Sequence, residues 1–132
     1  MLNVLLLKRI IILLITIVVL DTIAFVFYLH WIFWWYDVML HFLAGFSIGM
    51  TAVLVWGYFF DVFTTNKIKI ICVTLIGAFV VGILWETYEV IWKETSLSDG
   101  IFYWRDTISD LILDVFGNFF GVLYSWRITN KI

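Results

Sequence analysis

The chain has 132 residues, of which 64% are hydrophobic and 20% aromatic, with eight tryptophans and no proline; its mean hydropathy is +1.08. Soluble domains carry about 45–50% apolar residues, so a water-exposed fold of this length could not bury the excess. A formal charge of −2 with no basic patch argues against a nucleic-acid partner, and the single Cys72 excludes an internal disulfide or a thiolate-rich metal site.

Four segments reach the roughly 20 apolar residues that a spanning helix needs. The first runs over about 10–28, behind Lys8 and Arg9. It is too long for the apolar region of a signal peptide and has no small-residue cleavage pattern after it, so it reads as a retained spanning helix. The second covers about 37–60, the third about 70–92 and the fourth about 106–126. The connections His30–Tyr36, Asp61–Lys69 and Lys93–Arg105 are short. The expectation is an all-α integral membrane protein: one transmembrane domain over residues 1–132, a bundle of four helices. Cys72 then reads as a small buried residue of the third helix.

Orientation follows from lysine and arginine placement. Lys8, Arg9, Lys67, Lys69, Arg127 and Lys131 fall on one side, Lys93 and Arg105 on the other. That bias puts both termini in the cytoplasm of a multi-pass cell-membrane protein. The segment Trp31-Ile32-Phe33-Trp34-Trp35-Tyr36 then lies at the outer interface, where aromatic belts sit, with His30 solvated among them.

Seven of the ten acidic residues lie inside or at the lip of these spans: Asp21, Asp37, Glu86, Glu89, Asp106, Asp110 and Asp114. A carboxylate in hydrocarbon costs from roughly 3 to well over 10 kcal/mol, so the fold must shelter them. Asp37 and His41 open the second helix, Glu86 and Glu89 close the third, and Asp106 and Asp110 open the fourth, all at one end. Asp114 lies about 12 Å below Asp106 at 1.5 Å per residue, with Asn118 a turn further in and Asp21 at a depth comparable to Asp114. Asp37, His41, Gly45 and Gly49 share a stripe, as do Asp106, Asp110, Asp114 and Asn118. Gly77, Gly82, Gly117 and Gly121 suit close helix approach.

One imidazole among carboxylates suits a divalent cation: Mg²⁺, Mn²⁺, Ca²⁺ or iron. Asp37, His41, Glu86, Glu89, Asp106 and Asp110 are the candidate ligands, and His41, Asp110 and Glu86 the candidate catalytic groups. Arg105 suits a substrate phosphate, because a guanidinium grips it with two parallel hydrogen bonds. The substrate class is a membrane lipid or lipid-linked phosphate at the level of the outer leaflet. A second reading treats Asp106, Asp110 and Asp114, with Asp21 opposite, as a stair for a cation or protons. A third is structural: Asp37 and Asp106 as N-caps, and Glu86 and Glu89 as partners of Arg105, His41 and Lys93. Four helices offer little interior for seven acids, which points to a homo-oligomer. The loop 93–100 has turn composition and is placed to cover the site.

The order Asp37-x-x-x-His41-Phe-x-x-Gly45, then Trp85-Glu86-x-x-Glu89, then Asp106-Thr107-x-x-Asp110-Leu111-x-x-Asp114-x-x-Gly117-Asn118-x-x-Gly121 resembles the small YjdF-like inner-membrane proteins and the wider VanZ-like group. The likeness covers about 37–121. Asp114, Asn118 and Gly121 carry the VanZ-like part, with Arg105 as a looser counterpart. Glu89 stands where VanZ-like proteins have glutamine, which separates the chain from their role in glycopeptide resistance. The YjdF-like likeness implies fold and site and supplies no reaction.

Overall fold

The computed structural model describes residues 2–60, 66–92 and 95–129. Asp61, Lys93 and Lys131 lie outside the described residues. The elements are α1 (Leu2–Phe27), α2 (Leu29–Ile32), α3 (Trp34–Phe59), α4 (Lys67–Trp92), a 3₁₀ turn (Leu97–Asp99) and α5 (Ile101–Thr129). Four helices are long and apolar enough to cross a membrane: Val4–Phe27, Trp34–Phe59, Lys67–Trp92 and Ile101–Thr129. The chain is thus a helical, multi-pass membrane protein.

The helix centres fall where hydropathy puts them, but their ends extend further. The expected loop His30–Tyr36 is helical except at the extended Phe33, and Tyr28, whose φ is 57°, separates it from α1. α5 begins at Ile101 because Gly100, at φ 61°, ends the 3₁₀ turn and lets the chain re-enter helix directly.

α3 and α5 form the central pair, and glycine sets their separation. A Cβ on Gly45 would sit 2.1 Å from the Asp114 carbonyl oxygen, and one on Gly117 at 2.1 Å from that of Phe42. Gly49 meets Asn118, and Gly121 meets Phe46, in the same way. Both partners advance together along the two chains, so the helices run parallel with their backbones in contact. Small residues permit such approach between membrane helices, where dispersion replaces the hydrophobic effect as the driving force.

α1 and α4 flank this pair. Leu6 and Ile10 pack with Met50, while Ala24 packs with Tyr36 and Leu40, so α1 runs antiparallel to α3. The Tyr36 hydroxyl donates to the Leu20 carbonyl at 3.1 Å and ties the two. α4 turns inward only Ile70, Thr74, Ala78, Gly82 and Glu86, a strict i+4 row. Two expectations fail on that geometry. Cys72 is exposed, half a turn from the buried row. A Cβ on Gly77 would meet nothing within 4 Å, so Gly77 is no packing glycine. Gly82 does lie at the interface, against Leu111 and Asp114.

The two ends of the bundle differ chemically. At one end Arg9 donates to the Tyr124 hydroxyl and Lys67 lies over the Trp126 ring. There Val53, Ile70, Val122 and Trp126 form a buried apolar cluster. The other end gathers the described acids.

A candidate cation site between two parallel helices

Because α3 and α5 are parallel, the N-terminal halves of both point polar groups into the same layer. Asp37, His41 and Asp110 each offer one ligand atom, and these atoms lie within 4.8 Å of one another. His41 Nε2 stands 3.9 Å from Asp37 Oδ1 and 3.9 Å from Asp110 Oδ2. Its Nδ1 stands 3.5 Å from Asp114 Oδ1. His41, Asp110 and Asp114 are buried, whereas the Asp37 side chain keeps 25% exposure. Cation–oxygen bonds of about 2.1 Å for Mg²⁺ or 2.3–2.6 Å for Ca²⁺ bring neighbouring ligand atoms to within about 3–4 Å, close to the spacing seen. Asp114 stands behind His41 as outer-shell carboxylates stand behind metal-bound imidazoles, steering the ring and its tautomer.

A cavity of about 490 Å³ opens onto this layer, and Asp37, Arg105, Asp106, Ser109 and Asp110 lie on its wall. Thr95 and Asp99 line it too, so the described part of the 93–100 segment does border the site. Trp34 and Phe102, both exposed and apolar, line it as well.

The other sequence candidates are spread around this centre. Glu86 is buried on α4; its Oε2 accepts from the hydroxyl of Thr107, one turn before Asp110 on α5, at 2.6 Å, while its Oε1 has no hydrogen-bond partner among the described residues. Glu89 accepts from the indole of Trp85 on its own helix at 2.7 Å. Asp106 is exposed at the cavity wall, and Thr107 takes its expected place in the interior. Four-residue steps advance 400°, so the stripe from Asp114 back to Asp106 drifts by about 80° away from the interface. The alternating steps Thr107, Asp110, Asp114, Gly117, Gly121 hold the face instead.

Capping does not account for the acids. The N-cap position of α3 is Phe33, with no side-chain cap bond, and Asp37 lies inside the first turn. Asp106 lies five residues into α5. Only the favourable macrodipole remains from that reading.

The polar layer thins with depth. Asn118 donates to Thr74 at 3.3 Å, and beyond it comes the apolar cluster of Val53, Ile70, Val122 and Trp126. Asp21 is not opposite Asp114. It stands 3.6 Å from His30 Nε2, and its side chain is 48% exposed. The expected stair therefore lacks its second rail.

His30, read as solvated, is the residue that sequence reasoning missed. Its Nδ1 lies 3.2 Å from Asp37 Oδ1, so the ring bridges α1 and α3. Hydrogen bonding to Asp21, then to Asp37, holds its pKa up to about 10, so it is an imidazolium at neutral pH.

A family model described as "Predicted membrane protein (DUF2238)" matches residues 4–131. Neither a curated protein nor a solved structure matches the chain.

Proposed function

We propose, for a chain that belongs to the DUF2238 family of predicted membrane proteins, that Asp37, His41 and Asp110 hold a divalent cation that acts on a phosphate carried by a membrane lipid. The observation that carries this reading is the convergence of three ligand atoms from two parallel helices within 4.8 Å. One imidazole and two carboxylates leave open positions on Mg²⁺ or Mn²⁺, which usually complete their shells with water and substrate phosphate. A cation there would polarise a phosphoryl oxygen and neutralise charge as it develops.

The remaining groups fit around that centre. Arg105 on the cavity wall would grip the phosphate, and Asp106 would be a further ligand at the rim. Glu86, with one oxygen held by Thr107 and the other unpartnered, would be the proton acceptor, with Glu89 one turn further along α4. In this reading the pocket faces the outer leaflet and both termini are cytoplasmic, as the lysine and arginine bias favours. The apolar cluster below Asn118 favours a blind pocket over a path for cations or protons.

The test is phosphate release in proteoliposomes containing lipid phosphomonoesters and diphosphates, with Mg²⁺ or Mn²⁺ and with chelator. The reading expects cation-dependent release that Asp110→Asn abolishes, with a raised KM in Arg105→Gln. Release that is absent with every lipid phosphate, or unaffected by Asp110→Asn, would overturn the enzymatic reading.

A further inference from the structure

His30 belongs to none of the sequence motifs, yet the backbone makes a costly turn to bring it inward. Tyr28 adopts the left-handed conformation, φ 57° and ψ 34°, which is rare for a bulky aromatic. Conformations of this kind cost of order 1–3 kcal/mol and persist where surrounding packing enforces them. Here the packing is visible. Leu20 and Leu29 pack on the Ala24–Tyr36–Leu40 cluster, and the Tyr36 hydroxyl holds the Leu20 carbonyl. The turn folds α2 back over the end of α1, and the His30 ring packs edge-on against Tyr36 with centroids 6.1 Å apart.

The ring's two nitrogens then have distinct partners. Nδ1 is 3.2 Å from Asp37 Oδ1, and Nε2 is 3.6 Å from Asp21 Oδ1. Asp37 is the most exposed of the three proposed ligands, and among the described side chains of α3 its one charged neighbour is His41, at 3.9 Å. Without a fixed donor its carboxylate is free to turn toward the cavity.

We propose that His30 is a positioning residue of the cation site: it donates from Nδ1 to Asp37 and fixes that carboxylate toward His41 and Asp110, with Asp21 balancing the ring from behind. The proposal rests on the cation reading above. It makes the α1–α2 elbow part of the site and gives the first helix a role beyond anchoring. His30 stands behind Asp37 as Asp114 stands behind His41, and outer-shell partners of this kind are worth about 10–100-fold in metal affinity.

The two nitrogens supply the test. In His30→Asn the side-chain amide can stand where Nδ1 stood, whereas in His30→Gln it reaches the place of Nε2. Mn²⁺ affinity of the full chain in detergent is measured by electron paramagnetic resonance, with thermal midpoints taken in chelator and Asp37→Ala as control. We expect His30→Asn to bind within about threefold of the unaltered protein, and His30→Gln and His30→Ala to bind at least about tenfold more weakly at similar thermal midpoints. Equal affinity in all three His30 variants, with binding lost in Asp37→Ala, would overturn the positioning role while leaving the cation site intact. Rescue by glutamine and not asparagine would overturn it as well. No Mn²⁺ bound by the unaltered protein would overturn the cation reading and this inference together.

Discussion

Asp114 has two neighbours that decide what it does. Its Oδ1 is 3.5 Å from His41 Nδ1, and a Cβ on Gly82 would come within 2.8 Å of its Oδ2. The carboxylate is therefore wedged between the candidate ligand and the backbone of α4. Asparagine fills the same volume and removes the charge that steers the imidazole. Asp114→Asn is expected to lower Mn²⁺ affinity by about 10–100-fold while the thermal midpoint in chelator holds, as measured by titration and melting side by side. An unchanged affinity would make Asp114 a packing group only. The residue scale is also where the sequence was least sufficient. Asp37, His41 and Asp110 were legible because i+4 spacing and a shared helix end place them together. His30 was not, because its inward turn depends on a left-handed Tyr28 that no local rule for tyrosine foretells. Asp106 stands at the exposed cavity rim and not on the buried face with Asp110 and Asp114, because a four-residue stripe that looks straight in sequence drifts on a real helix.

At the scale of elements, the parallel pair α3–α5 is what creates the site, and Gly45 and Gly117 are what allow the pair. An alanine methyl at Gly45 would strike the Asp114 backbone carbonyl, which cannot rotate away. Gly45→Ala is expected to destabilise the bundle by about 2 kcal/mol or more, the range of overpacked cores. Gly77 makes the opposite case, since its Cβ meets nothing. Gly77→Ala is expected to stabilise by about 0.5–1 kcal/mol through helix propensity. Reversible unfolding in mixed micelles measures both, and two effects of the same sign would contradict the packing described. Hydropathy located all four helices because each exceeds the length a bilayer demands. It could not tell Gly77 from Gly82, since both sit in apolar surroundings and only the strict 70–74–78–82–86 row separates them.

For the molecule as a whole, the described acids gather toward one end, and Arg9 and Lys67 pack at the other. The proposed orientation, which follows the lysine and arginine bias, turns the acidic end outward. In a Cys72→Ala background, Ser98→Cys is expected to react with a membrane-impermeant maleimide in intact cells, and Asn66→Cys only after lysis. The reverse pattern would turn the pocket toward the cytoplasm and its substrate to the inner leaflet. The proposed function stands or falls with the cation. Its most direct measurement is elemental mass spectrometry of purified protein after equilibrium dialysis against Mg²⁺ or Mn²⁺, with Asp110→Ala in parallel. The account predicts a stoichiometric ion in the unaltered protein and its loss in the variant at equal helix content. Equal metal in both, or none in either, would contradict it.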